Sequence, residues 1–175
     1  MKSKLTTRDM VFVSLAAVVI ALCSWISVPS VVPFTMQTFA LFCALLLLGG
    51  RRGFLAVSLY ILLAVCGLPV LSSFRGGIGA LLGPTGGYVL GFLLCALLYW
   101  LLEKKLPAPV LLIAGLVLCY LFGTLWFVYV YASDGKAIGF GAALGLCVLP
   151  YLIPDAIKLL LAFVLTRRVN KALRL

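Results

Sequence analysis

The chain has 175 residues, of which 65% are hydrophobic and only 10% charged, and its mean hydropathy is +1.28. No soluble domain of this size needs so much apolar residue, so composition excludes one and indicates an integral membrane protein. The net charge of +10 would suit a nucleic-acid partner, but its distribution argues otherwise: the positive residues flank apolar runs.

A bilayer is crossed by roughly 20 apolar residues, and the hydropathy divides into six such runs. They read as roughly 10–28, 34–49, 54–69, 87–102, 109–131 and a broken last stretch within 139–166. An all-α fold of six transmembrane helices is expected, with residues 1–175 as one domain and no room for a separate soluble one. Lys2, Lys4, Arg8, Arg51, Arg52, Lys104, Lys105, Arg167, Arg168, Lys171 and Arg174 fall at the two termini and after the second and fourth runs. The other connections hold only Arg75 and Lys136. Positive residues favour the cytoplasmic side, so both termini are expected there.

In chain order, the basic start before the first run resembles a signal peptide. The run is long, however, and no small-residue cleavage site follows, so a membrane helix is expected. Ala17-x-x-x-Ala21 in this run makes a flat strip against which another helix can pack closely, from this chain or from another. The next outer connection carries Thr35, Gln37 and Thr38 and no charge. The connection between the third and fourth runs, residues 67–88, is rich in Gly and Pro yet apolar. Water-exposed loops are polar, so this one is expected to lie back on or into the bundle, where protein surrounds its backbone. Gly76, Gly77 and Gly79 either let backbone N–H groups approach a ligand or serve turns and tight packing. Tyr120, Phe122, Trp126, Phe127, Tyr129 and Tyr131 crowd the outer end of the fifth run as an interfacial aromatic belt, with Trp126 and Tyr129 as alternative walls for an apolar ring.

The last stretch is interrupted by Pro150 and Pro154, and the final span is expected to begin near Pro154, because proline suits a helix's first turn. Just after it stand Asp155 and Lys158, opposite charges three residues apart and so on one helix face. A charge in hydrocarbon costs about 2.5–3.5 kcal/mol on insertion scales, so such residues face a protein interior and mark a ligand or pathway. Asp155 precedes Arg167 by twelve residues, or about 18 Å along a helix, which puts it in the outer half of the membrane. The pair either neutralises itself or grips a neutral polar group that offers both N–H and C=O.

Catalytic readings fare badly. The chain has no histidine, no paired carboxylates, no Gly-x-Ser-x-Gly and no nucleotide-binding P-loop. Cys23, Cys43, Cys66, Cys95, Cys119 and Cys147 occur about one per span without Cys-x-x-Cys pairing, as small packing residues rather than metal ligands. Neither a metal nor a cofactor is expected, and energy for uphill transport has to come from elsewhere.

Val32-Pro-Phe-Thr-Met-Gln-Thr38, Phe74-Arg-Gly-Gly-Ile-Gly79, Leu82-Gly-Pro-Thr-Gly-Gly-Tyr88 and Pro150-Tyr-Leu-Ile-Pro-Asp155-Ala-Ile-Lys158 together resemble the BioY family. Its members are the biotin-specific substrate-binding subunits of energy-coupling factor transporters. The resemblance covers essentially the whole chain. It departs at Ile153-Pro154, where members commonly have Pro-Gly. It implies a six-helix bundle in a bacterial plasma membrane that captures biotin from outside. The partners it implies are a transmembrane coupling protein and two ATP-hydrolysing subunits. It carries ligand binding to Asp155, Lys158, Gly76, Gly77 and Tyr88, with Gly79, Thr35 and Gln37 beside them, and coupling-protein contact to Ala17 and Ala21. The alternatives are capture of another vitamin, a self-sufficient carrier or channel, and a purely structural membrane subunit.

Overall fold

The computed structural model describes residues 5–30, 32–136 and 138–173, so Lys2, Lys4 and Arg174 of the charge pattern lie outside the described residues. Eight helices and one short hairpin make up the described chain. Helix α1 (Thr7–Trp25) opens with a reciprocal cap: Asp9 N–H donates to Thr6 Oγ1 at 3.2 Å, and Thr6 N–H donates to Asp9 Oδ2 at 3.0 Å. A two-residue hairpin follows, β1 (Ser27–Val28) antiparallel to β2 (Phe34–Thr35), with Ser27 opposite Thr35 and Val28 opposite Phe34.

Helices α2 (Gln37–Leu48) and α3 (Gly50–Val65) are divided at Gly49, whose φ of +78° is a left-handed conformation that a side chain would strain. A carboxylate oxygen of Glu103 accepts the Gly50 N–H at 2.6 Å, placing negative charge at the positive end of α3. A 3₁₀ turn (Ser72–Phe74) and α4 (Ile78–Leu82) form the glycine-rich connection, which folds back on the bundle and buries Val70, Leu71 and Leu81. Ser24 Oγ donates to the Val70 carbonyl at 2.5 Å, Trp25 Nε1 to the Pro69 carbonyl at 2.8 Å, and Trp126 Nε1 to the Gly83 carbonyl at 3.1 Å.

Helix α5 (Gly86–Leu102) and α6 (Ala108–Ser133) make the most extensive helix pair. Gly87, Gly91 and Cys95 repeat every four residues on α5, and Gly115, Cys119 and Gly123 on α6. The two series interlock. A side chain on Gly91 would come within 2.7 Å of Cys119 Sγ, and one on Gly87, Gly115 or Gly123 would overlap Trp126, Cys95 or the Tyr88 ring. This small-residue interface brings the backbones together where apolar surroundings give side chains no hydrophobic drive to associate. Cys95 and Cys119 are thus packing residues.

Helix α7 (Phe140–Cys147) is followed after Val148 by α8 (Leu149–Leu173). The final helix therefore begins five residues before Pro154, not at it. Pro154 lies inside α8, where its missing N–H deprives the Pro150 carbonyl of its usual partner. Helices α1, α6 and α8 are long and apolar enough to cross a membrane, while α2 and α5 are shorter apolar helices. The Asp9–Arg52 and Gly50–Glu103 contacts, and a groove lined by both Pro109 and Arg167, gather the start of α1, the α2–α3 break, the end of α5, the start of α6 and the C-terminal part of α8 at one basic end.

Candidate functional site

At the opposite end, α2, α5, α6, α8 and the glycine-rich connection line a partly open cavity of about 70 Å³. Asp155 and Lys158 line it from α8, with side chains each only 5% exposed and 2.8 Å apart. Every polar atom of the pair is engaged. Asp155 Oδ1 accepts from Thr38 Oγ1 at 2.9 Å and from Lys158 Nζ, while Oδ2 accepts from the Tyr120 hydroxyl at 2.5 Å. Lys158 Nζ also donates to the Thr35 carbonyl at 2.7 Å and to Thr38 Oγ1 at 3.1 Å, and it lies 4.0 Å from the centre of the Phe34 ring. Three donors on the ammonium thus meet three acceptors.

The hairpin explains how that carbonyl arrives. Pairing of Val28 with Phe34 and Ser27 with Thr35 holds β2 extended across α8, so the Thr35 carbonyl and the Phe34 ring both reach Lys158. Tyr151, one turn before Asp155, stacks on Phe34 at 6.3 Å, and its hydroxyl bonds Ser30 at 2.8 Å and the Val32 carbonyl. Gln37 begins α2 and lines the cavity; its amide bonds the Tyr60 hydroxyl of α3, and its Oε1 accepts from Thr35 Oγ1 at 3.3 Å. Tyr88 closes the α5 side, with its hydroxyl 3.0 Å from Thr124 Oγ1.

Of the residues singled out from the sequence, the structure therefore brings together Asp155, Lys158, Tyr88, Thr35 and Gln37. Gly76, Gly77 and Gly79 do not line the cavity. Gly76 packs against the Leu68 carbonyl, and the Gly77 N–H donates to the Ala64 carbonyl at 2.7 Å. The same connection instead supplies Ser72 and Thr85 to the wall, with hydroxyls unbonded among the described residues. Thr38, Tyr120 and Tyr151 complete it; of the span-five aromatics, Tyr120 alone lines the cavity.

The match to known proteins extends over the entire chain. The BioY family model matches residues 1–175. The biotin transporter BioY of Thermotoga maritima is 37% identical over 169 residues, covering 94% of this chain and 96% of its own. The biotin transporter BioY2 of Lactococcus lactis is 34% identical over 171 residues, covering 94% and 91%. This chain belongs to the BioY family. A crystal structure titled as the S-component for biotin from an ECF-type ABC transporter shares this fold, with a TM-score of 0.81 over 98% of this chain and 95% of that one, at 24% identity.

Two further groups of residues singled out from the sequence can be placed in this BioY chain. Ala17 and Ala21 are 0% and 6% exposed, on the face of α1 that packs against α2 and α3. The strip packs against helices of the same chain, one of the two kinds of partner its spacing allows. Trp126 clamps Gly87 and Gly83, and Tyr129 is 71% exposed, so neither walls the cavity.

Proposed function

We propose that the chain is the substrate-binding subunit of an energy-coupling factor transporter and captures biotin in the Asp155–Lys158 cavity. The observation that carries this reading is a buried, fully bonded ion pair on the wall of a cavity, in a chain whose full-length relatives are named biotin transporters. Removing two charges from water costs several kcal/mol each, and a well-packed apolar pair is often as stable. Retaining the pair on a cavity wall is therefore better explained by a ligand than by stability.

Biotin's cyclic urea offers N–H donors to Asp155 and a carbonyl to Lys158. Ser72 and Thr85 carry the free hydroxyls for its remaining polar atoms, and Val89, Phe92 and Leu116 supply apolar wall. The glycines of the connection act through the shape that brings Ser72 and Thr85 to the cavity. The present volume is small beside ligand pockets of roughly 300–1,000 Å³, so capture requires this connection or the β1–β2 hairpin to move outward.

In this reading α1, α2, α3, α5, α6 and α8 form six membrane crossings. The basic end, with Arg51, Arg52, Lys104, Lys105, Arg167, Arg168 and Lys171, faces the cytoplasm, and the cavity faces outward. The membrane is the plasma membrane of the cell. A transmembrane coupling protein and two ATPase subunits supply the energy, because this sequence carries no nucleotide-binding motif.

Purified protein titrated with labelled biotin, with thiamine and riboflavin as competitors, tests the specificity. One biotin per chain, displaced by unlabelled biotin alone, is expected. Saturable binding of another vitamin in its place, or of none, overturns the reading. Biotin uptake by proteoliposomes holding this chain alone would overturn the requirement for partners.

A further inference from the structure

Helices α6 and α8 meet at the polar cavity, where Tyr120 bonds Asp155, and are separated toward the basic end by an apolar groove of about 380 Å³. Pro109 and Ile113 line it from α6, and Leu160, Phe163 and Val164 from α8, with Arg167 at the end. Ile113, Leu160 and Val164 are each at least half exposed, so among the described residues no other helix covers the groove. Among the described residues no carboxylate pairs with Arg167. Arg168 and Lys171 extend the positive charge along α8, and Lys104 and Lys105 stand in the connection leading into α6.

We propose that this groove holds one acyl chain of an anionic phospholipid, with the headgroup phosphate on Arg167. Charge and length both select this occupant. Leu159, at the deep end, precedes Arg167 by eight residues, which is about 12 Å of helix. One leaflet of a hydrocarbon core about 30 Å thick supplies about 15 Å of chain. A phospholipid whose tail fills the groove therefore has its phosphate at the level of the guanidinium, which presents a fork of donors matched to phosphate oxygens. A zwitterionic headgroup offers the same phosphate but adds a cation, which the surrounding Lys and Arg residues repel. Basic pockets between helices on the cytoplasmic side are a known means of selecting anionic lipid.

The test is native mass spectrometry of the delipidated protein titrated with phosphatidylglycerol and with phosphatidylcholine of identical acyl chains. One phosphatidylglycerol per chain is expected to be retained in preference to phosphatidylcholine. Arg167→Gln is expected to weaken that retention about fivefold, the effect of one basic residue at an anionic surface. Leu160→Trp, on an exposed face and with Arg167 intact, fills the groove and is expected to displace the lipid without altering biotin binding. Equal retention of the two lipids overturns the proposal, as does unchanged retention in both variants when each runs as a single species on gel filtration. Neither result bears on the biotin site, because none of the groove residues lines the polar cavity that Asp155 and Lys158 face.

Discussion

Replacing Lys158 with Met removes the ammonium while keeping most of the apolar stem, and its consequences can be counted. Asp155 loses its counter-ion at 2.8 Å, the Thr35 carbonyl loses its donor at 2.7 Å, and Phe34 loses a cation at 4.0 Å. Thr38 and Tyr120 remain as the partners of a buried carboxylate. Breaking a buried pair on one side costs about 3–5 kcal/mol. For a domain of this size that corresponds to a fall of roughly 6–20 °C in Tm. Adding Asp155→Asn removes the stranded charge and restores most of this loss. About 1–2 kcal/mol stays missing, because neither the Phe34 contact nor the Thr35 bond is replaced. Biotin binding behaves differently: both single variants and the double variant lose it, since neutral Asn and Met cannot reproduce the donor and acceptor presented to the urea. Melting curves and labelled-biotin binding on the same four proteins separate the two effects. A double variant no more stable than Lys158→Met refutes the pair's energetic coupling, and native affinity in both single variants refutes its role in the ligand site.

Tyr120→Phe deletes only the hydroxyl that donates to Asp155 Oδ2, and hydrogen bonds to charged groups contribute about 1.5–3 kcal/mol. Biotin affinity is expected to fall at least tenfold with the fold retained, as judged by gel filtration and a binding titration. Thr85→Val keeps the shape of the connection but removes an unbonded hydroxyl from the cavity wall, so Tm is expected to hold within about 2 °C while biotin dissociates faster in a washout assay. Gly123→Val drives a branched side chain into the Tyr88 ring within the α5–α6 contact. Overpacking of this kind costs about 1–3 kcal/mol or more, measurable as a lower Tm together with weaker biotin binding through the displaced Tyr88.

The parts of the site that could be read in sequence are those whose chemistry is anomalous where it stands. Asp155 and Lys158 are conspicuous because charge in an apolar run needs a reason, and their spacing fixes a common face. Thr35, Gln37 and Thr38 are uncharged polar residues clustered at the end of a largely apolar connection. Tyr120 is equally important to the geometry, yet it sits in an aromatic run for which an interfacial belt is sufficient explanation. Only the register of α6 against α8 separates it from Tyr129. Small residues are ambiguous in a related way. Ala17-x-x-x-Ala21 says that something packs closely, not whose helix it is, and a glycine-rich stretch does not say whether its N–H groups meet a ligand or a carbonyl such as that of Ala64. The four-residue series on α5 and α6 is written just as plainly as the alanines, and its pairing too is decided by tertiary structure. Proline suits a helix's first turn, which points to a start near Pro154, whereas α8 begins at Leu149 and continues through that proline.

The same geometry sets a ligand in competition with contacts already made. Lys158 has no unused donor, and Asp155 already accepts three bonds, so a ligand that engages them must replace partners already in place. Those partners are on three separate elements: the Thr35 carbonyl belongs to the hairpin, the Thr38 hydroxyl to α2 and the Tyr120 hydroxyl to α6. Exchanging the Thr35 carbonyl for a urea carbonyl leaves the hairpin tied to α8 by the Lys158–Phe34 contact and the Tyr151 contacts to Phe34, Ser30 and Val32. The hairpin is thus the element whose hold on α8 competes most directly with the ligand. In the biotin reading, recognition of the ligand and release of the hairpin therefore draw on the same two side chains, Asp155 and Lys158.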